Sequence, residues 1–177
     1  GGLHPELPFE FYLEMLASVR DVSPALHIKA FTAVEIDYLA QLAGLSIVAT
    51  LEKLKAAGLG SLPGGGAEIL GKAVRDQLCP EKISGEAWLG IMREVHGAGL
   101  KSNATMLYGH VETYADRVDH MRRLREELLG DVGLGLAVCR GGQGRHRDIA
   151  ECLADLGEQT VLRPEVVAPL RDAMRLV

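Results

Sequence analysis

Apolar residues recur at helical spacing through most of the chain, and short stretches between them alternate apolar with polar residues. Phe9, Leu13, Leu16 and Val19 share one face and predict a helix over 6–23. The stretch 26–32 alternates instead, which predicts a strand with one apolar face. Further helices are predicted at 34–43, 48–57, 67–78, 84–96, 113–129, 148–156 and 164–176, and further strands at 59–62, 100–108 and 133–138.

Alternating strands and helices indicate an α/β fold, with parallel strands joined by right-handed crossovers. A doubly wound sheet and a (β/α) barrel both fit, and periodicity alone does not choose between them. Polar residues inside the predicted strands favour a barrel whose lumen holds a ligand, because a buried polar group needs a partner. In a barrel the active site lies at the carboxyl ends of the strands, and in an open sheet the ligand crevice lies there.

Composition narrows the class of protein. The chain has 177 residues, is 47% hydrophobic and carries a net charge of −5. This is typical of one globular domain, argues against nucleic-acid binding and, with no long apolar run, against a membrane span. Cys79, Cys139 and Cys152 are too few and too widely spaced for a disulfide framework or a metal site, so we expect a reducing cytoplasm.

The character of the sequence changes near residue 130. All six lysines and all eight aromatic residues precede that point, and 130–177 hold six arginines with no lysine or aromatic residue. We therefore expect 1–129 and 130–177 to be different segments, the second being another module or the product of a frame or assembly error. The start at Gly-Gly-Leu-His-Pro, like the end of a strand, predicts a fragment of a longer protein.

The glycine-rich stretch 63–68 joins a predicted strand to a predicted helix. Its glycines would let a ligand approach the backbone, and the helix N-terminus would present free N–H groups. The spacing matches neither a dinucleotide fingerprint nor a P-loop. A turn that merely needs glycine is the alternative. Glu68 would either accept hydrogen bonds from a ligand or favour the helix N-terminus through its dipole.

Three further groups of polar residues carry candidate chemistry. Asn103 and Thr105 would line a lumen, or satisfy each other within it. His27 and Lys29 lie two apart on one strand face and could hold a carboxylate, unless Lys29 extends outward to solvent. His110 is placed to act as an acid, a base or a hydrogen-bond donor near pH 7, although an ordinary loop histidine is the alternative. His96 and His120 are predicted to be surface or core-edge residues of helices.

Several longer segments resemble the aminofutalosine synthase family of radical S-adenosylmethionine (SAM) enzymes, which act on the futalosine route to menaquinone. The resemblance covers roughly 1–128. It is carried by GGLHP at 1–5, HIKAFTAVEI at 27–36, SLPGGGAEI at 61–69, CPEKIS at 79–84, SNATMLYGHVET at 102–113 and RVDHM at 117–121. Dehypoxanthine futalosine cyclase and the deazaflavin synthase subunit share looser forms of these motifs and stay open as alternatives.

The resemblance implies a partial TIM-type (β/α) barrel of a cytoplasmic transferase. It also implies that a 4Fe-4S cluster on a CxxxCxxC loop cleaves SAM, and that the resulting radical adds to the small-molecule substrate 3-[(1-carboxyvinyl)oxy]benzoate. No CxxxCxxC occurs in this chain, and no metal ligand is assigned in it. We therefore expect the chain to be unable to cleave SAM alone. A non-catalytic remnant that binds a nucleoside-like ligand is the alternative from another class.

The resemblance also assigns site residues position by position. SAM would be bound by Gly1, Gly2, Ser61, Gly65 and Glu68. The substrate would be bound by His27, Lys29, Asn103, Thr105 and Tyr108. His4, Glu68 and His110 are the candidate catalytic residues.

Overall fold

The computed structural model describes residues 2–128 and 135–140, which belong to one compact unit spanning 1–141. Helices and strands alternate along it as predicted. In chain order they are α1 Phe9–Val22, β1 Ile28–Lys29, α2 Ala33–Ala43, α3 Ile47–Ala56, β2 Leu59–Leu62, α4 Lys72–Leu78, α5 Gly85–Gly97, β3 Lys101–Tyr108, α6 Tyr114–Leu128 and β4 Gly135–Arg140. The helices predicted at 148–156 and 164–176 lie outside the described residues.

The strands form a parallel sheet in the order β1-β2-β3-β4. Sequential strands are neighbours, as crossover connections require. All three strand pairs are parallel, which confirms the α/β class. The described strands form an open row, so closure into a barrel stays a prediction.

Strand β1 is shorter than the alternation of 26–32 predicts. Only Ile28 and Lys29 have strand geometry. Phe31 adopts a left-handed backbone with φ 59°, and Thr32 begins the cap of α2. The Thr32 hydroxyl accepts from the Glu35 N–H while the Glu35 carboxylate accepts from the Thr32 N–H, a capping box that fixes where the helix starts.

The core lies between the sheet and the helices α1, α2, α3 and α5. Burying its large side chains is the main force that holds these elements together. The fully buried members with the largest side chains are Trp88, Leu16, Ile36, Leu39, Leu51, Leu54, Leu62, Leu70, Leu89 and Met92. A smaller cluster of Ile69, Val74 and Met106 lies under the far end of β3.

The helix predicted at 67–78 begins five residues later, at Lys72. Gly66 has φ 85° and Glu68 has φ 42°, conformations that a right-handed helix excludes. Tertiary hydrogen bonds use the main-chain groups of this stretch instead, as described below. The prediction that a helix N-terminus follows the glycines directly was therefore wrong.

Within the described part of the chain, no single helix is long and apolar enough to cross a membrane. Only α2 and α3 pass that test when taken together, and a bend of 100° separates them. Both helices contribute buried residues to the core.

Candidate active site

Polar side chains from three neighbouring strands form a row on one face of the sheet. The strand register sets Lys29 beside Ser61, and Ser61 beside Lys101. Because side chains alternate along a strand, Asn103 and Thr105 share that face with Lys101. The opposite side chains of β3, those of Ser102, Ala104 and Met106, are buried towards the helices.

Two hydrogen bonds tie this row together. His27 Nε2 lies 2.7 Å from Ser61 Oγ, and Lys29 Nζ donates to Asn103 Oδ1. His27 and Lys29 are exposed, while Ser61 is buried. The structure thus brings together four of the predicted site residues, which we call the polar row: His27, Lys29, Ser61 and Asn103.

Thr105 continues the same face towards the glycine-rich loop. Its hydroxyl donates to the Gly64 carbonyl over 2.7 Å, and the Leu107 N–H donates to the Glu68 carbonyl over 3.0 Å. The loop therefore runs alongside the carboxyl half of β3.

The glycines of this loop are required by packing within the protein. A Cβ atom on Gly64 would lie 2.6 Å from the Asn103 carbonyl oxygen, and one on Gly66 would lie 2.6 Å from Val34 Cγ2. On Gly65 it would lie 2.9 Å from Thr32 Cγ2. These distances support the interpretation of the loop as a turn that needs glycine. Ligand binding by the loop stays a prediction.

The Glu68 carboxylate forms an ion pair with Lys82, and among the described residues no helix begins beside it to favour its charge. Its Oε1 atom accepts from Lys82 Nζ over 2.8 Å, and both side chains are partly exposed. Since α4 begins only at Lys72, the expectation that Glu68 favours a helix dipole was wrong.

The amino-terminal candidates lie near the start of α2. The Gly2 N–H donates to Glu35 Oε1 over 2.7 Å, and Tyr38 donates to the His4 carbonyl over 2.7 Å. Gly2 has open space where a Cβ would be, and the His4 side chain is exposed. A Cβ atom on Gly65 would lie 2.9 Å from Cγ2 of Thr32, which belongs to the same capping box, so Gly2 and Gly65 both lie near this end of α2. Gly1 lies outside the described residues.

Burial alone would raise the pKa of Glu35. Hydrogen bonds from the Thr32 and Gly2 N–H groups outweigh burial, and the pKa is lowered. The carboxylate that anchors this segment is therefore ionised near neutral pH.

Tyr108 and His110 are not part of the polar row. Tyr108 lies on the other face of β3, where the Arg117 guanidinium lies 5.0 Å from its ring centroid. His110 follows β3 with an exposed side chain, and its N–H donates to Glu112 Oε2 over 2.9 Å. The structure therefore holds His110 by its main chain, and its side chain is exposed.

Glu112 is a residue that the sequence analysis missed. Its side chain is buried, accepts from Gly109 N–H and pairs with Arg117 at 2.6 Å. Burial disfavours its charge, but those bonds together lower its pKa. Adjacent polar residues in a loop resemble many turns, so no sequence pattern marks this carboxylate.

Three side chains bind main-chain groups of the segment Gly66–Leu70, and the sequence analysis placed none of them at the site. Arg75 is 4% exposed and donates to the carbonyls of Gly66, Ala67, Ile69 and Ile83. Arg123 donates to the Leu70 carbonyl over 3.1 Å and pairs with Glu86.

The third of these side chains is His120, which is fully buried, so its prediction as a surface or core-edge residue was wrong. Its Nδ1 atom accepts from the Leu70 N–H over 3.1 Å, and its Nε2 atom lies 3.1 Å from the Thr105 carbonyl. The ring is therefore neutral, with its proton on Nε2. Burial is the main cause that lowers its pKa to about 4, and Arg123 and Arg75 add to it.

A cavity of about 440 Å³ lies elsewhere, between α1 and the turn joining α2 to α3. Its lining includes Phe9, Leu13 and Leu45 and none of the predicted site residues.

Two comparisons with curated proteins bear on this site. Over 125 residues, 71% of this chain, it is 46% identical to a 5-amino-6-(D-ribitylamino)uracil–L-tyrosine 4-hydroxyphenyl transferase of Methanopyrus kandleri. Over 124 residues, 70% of this chain, it is 46% identical to the aminodeoxyfutalosine synthase of Thermus thermophilus. The chain is homologous to both enzymes. It matches no protein-family profile.

The homology confirms the resemblance given by the sequence motifs and supports membership of the radical SAM enzymes. The chain spans about a third of the length of the curated relatives it matches, 34% and 33% of the two named. The transferase of Archaeoglobus fulgidus is 37% identical over 73% of this chain and 39% of its own length. Equal identity to the first two enzymes leaves the particular reaction unresolved.

The parent family implies SAM and a 4Fe-4S cluster, which is held by cysteine thiolates. Among residues 2–128 and 135–140, no three His, Cys, Asp or Glu side chains converge as metal ligands. Cys79, the cysteine whose side chain is described, is buried. The described residues therefore do not supply the ligands that the cluster requires.

Proposed function

We propose that this chain forms the substrate-binding surface of an aminodeoxyfutalosine synthase-like transferase that acts on 3-[(1-carboxyvinyl)oxy]benzoate. The observation that supports this proposal is the polar row, in which His27–Ser61 and Lys29–Asn103 join three adjacent strands.

The charges of the row suit a carboxylate ligand. Lys29 is bonded to the neutral amide of Asn103, so its ammonium charge is not neutralised by that partner. Lys101 lies on the same face, in a chain whose net charge is −5. The proposed substrate carries two carboxylates and no cation, and charge-assisted hydrogen bonds to carboxylates are about twice as strong as neutral ones. Lys29, His27 and Asn103 are the proposed contacts, with Thr105 beside them.

SAM is proposed to lie along Gly2, Ser61, Gly65 and Glu68, with Gly1 beyond the described residues. The support is that Gly2 and Gly65 both approach the Thr32–Glu35 capping box. When bound, SAM supplies the 5′-deoxyadenosyl group that forms the new bond. The chain's own residues bind and orient both molecules.

His4, Glu68 and His110 are the proposed catalytic residues. His4 and His110 have exposed imidazoles that can exchange a proton with a bound molecule. The Glu68 carboxylate is paired with Lys82, and its oxygens are acceptors for an amino or hydroxyl group of the ligand. Tyr108 is proposed only as a residue at the edge of the substrate site, because it lies on the other face of β3.

Transfer involving L-tyrosine and 5-amino-6-(D-ribitylamino)uracil is the second candidate, and it is favoured by the equal 46% identity to the Methanopyrus enzyme. L-tyrosine carries one carboxylate and one ammonium group. The polar row provides the Lys29 ammonium group and neutral donors, with Lys101 on the same face, and two cations match a dianion better than a zwitterion.

Calorimetric titration of the 177-residue chain with each small molecule tests the proposal. We expect the benzoate to bind, and Lys29→Met to weaken binding by about 10- to 100-fold, the value of one charged hydrogen bond. Lys55→Met is the matched control, because Lys55 is also an exposed lysine with one hydrogen bond, to the Ala98 carbonyl. Tighter binding of L-tyrosine than of the benzoate would favour the second candidate. Equal affinity of the wild type and Lys29→Met for the benzoate would contradict the proposed role of the polar row.

A further inference from the structure

The Arg75 guanidinium lies beneath the glycine-rich loop with four main-chain acceptors. Nη1 donates to the carbonyls of Ala67 and Ile69 over 2.7 and 3.2 Å. Nη2 donates to those of Gly66 and Ile83 over 3.1 and 2.5 Å. Such a buried charge is costly unless its donors are satisfied, and here every bond goes to the loop or to the turn before α5.

The segment that Arg75 holds is conformationally strained. Glu68 has φ 42°, a left-handed conformation that is unfavourable for a residue with a Cβ atom. Such strain persists only where the surroundings determine the backbone from several sides. Arg75 from beneath and the Leu107 N–H from β3 supply those constraints on either side of Glu68.

We propose that Arg75 is a positioning residue that holds Gly66–Ile69 in its strained shape and so sets Glu68 against the carboxyl half of β3. The consequence for ligands rests on the proposed function, because Glu68 is one of the residues proposed to bind SAM. The effect on the loop itself does not depend on that function.

An arginine is required here because its planar fork reaches two pairs of carbonyls at once. A lysine is a single point of charge with three donors on one nitrogen, so it cannot span Gly66 and Ile83 on one side and Ala67 and Ile69 on the other. Arg75→Lys keeps the charge and removes the fork.

Hydrogen exchange of the Leu107 amide reports on the loop, because that amide donates to the Glu68 carbonyl. We expect Arg75→Lys to speed its exchange by about tenfold or more, as the loss of one charged hydrogen bond predicts. The Ala30 amide, bonded to the Ser61 carbonyl, is the internal reference and should change by about twofold at most.

Arg20→Lys is the matched control for this measurement. Arg20 also donates to three main-chain carbonyls, those of Pro24, Leu26 and Gly58, which precede β1 and β2 at the other end of the strands. We expect it to leave the Leu107 amide protected. Equal exchange of Leu107 in both variants would overturn the proposal.

A second variant keeps the test decisive if Arg75→Lys folds poorly. Glycine adopts positive φ without strain, so Arg75→Lys with Glu68→Gly should restore protection of the Leu107 amide to within about threefold of the wild type. A double variant no better than Arg75→Lys, or one that does not fold, would also overturn the proposal.

Titration with SAM separates this proposal from the proposed function. We expect Arg75→Lys to weaken SAM binding by about tenfold and Arg20→Lys to leave it unchanged. If the wild-type chain binds no SAM, the SAM site fails, and the Leu107 exchange still decides the role of Arg75. If SAM binds equally to both variants while exchange at Leu107 differs, Arg75 shapes the loop without positioning the ligand, and that part of the proposal is wrong.

Discussion

Individual buried polar residues in this protein act mainly on the backbone. Arg75, His120 and Glu112 each bind two or more main-chain groups, and each holds a stretch that follows or faces the carboxyl end of a strand. A buried polar group without a partner is destabilising, so the backbone conformations that satisfy Arg75, His120 and Glu112 are favoured. This effect depends on each side chain keeping its charge state.

The charge state of His120 makes stability depend on pH. Its pKa is about 4 in the folded chain, against 6.5 for an ordinary histidine, so the unfolded chain binds the extra proton between these values. The stabilisation is complete above pH 6.5 and is lost as pH falls towards 4, for a total on the order of 3 kcal/mol.

Urea unfolding at several pH values between 4 and 7.5 measures this dependence. We expect His120→Gln to remove most of the slope of unfolding free energy against pH in that range. His96→Gln is the comparison: burial also lowers the pKa of half-buried His96, so its removal should take away a smaller part. An unchanged slope in His120→Gln would show that another group is responsible.

At the scale of elements, the order of the strands and helices and most helix limits could be predicted, because they depend on nearby residues. Gly44 ends α2 in a left-handed conformation, and Ser46 and Ser84 cap α3 and α5. The stretch 67–71 could not be predicted, since it is apolar with helical spacing. Its main chain instead bonds to Arg75, His120 and Leu107, which are distant or unmarked in the sequence.

The same difference applies to the site. His27 and Lys29 could be placed on one face by the alternation of the strand, and the family resemblance added Ser61 and Asn103 as site residues. The strand register that sets the four side by side comes from the structure. Glu112 could not be found, because its partners are main-chain N–H groups with no sequence pattern.

Close packing of the glycine-rich loop against β3 predicts a clear effect of a single methyl group. Gly64→Ala would place Cβ against the main chain of Asn103 and Ala104, and overpacking of this kind costs about 1–3 kcal/mol. Gly90→Ala in α5 is the matched control: a Cβ there has nothing within 4 Å, so we expect a gain of up to about 1 kcal/mol. Thermal unfolding of both variants measures the difference, and equal stability would mean that the loop moves away without cost.

At the scale of the whole molecule, the sheet has one open face and two edge strands among the described residues. The open face bears the polar row, and the edge strands are β1, which pairs with β2, and β4, which pairs with β3. The homology extends over about 70% of the chain, a length similar to that of the region with the sequence motifs. The prediction of the family came from those long motifs, whereas periodicity alone indicated only an α/β fold.

The β1 edge of the sheet predicts how the chain behaves at high concentration. Exposed strand backbone next to apolar side chains promotes pairing between molecules, and a charged residue at the edge opposes it. Leu26 is 51% exposed just before β1, and Val111 is 53% exposed beyond the far end of β3. Leu26→Lys and Val111→Lys add the same charge to equally exposed sites, so they separate an effect of the edge from one of net charge.

We expect light scattering during size-exclusion chromatography to show concentration-dependent association of the wild-type chain, reduced by Leu26→Lys and retained by Val111→Lys. Equal reduction by both variants would place the cause in net charge, and an effect of Val111→Lys alone would place the contact at the other end of the sheet.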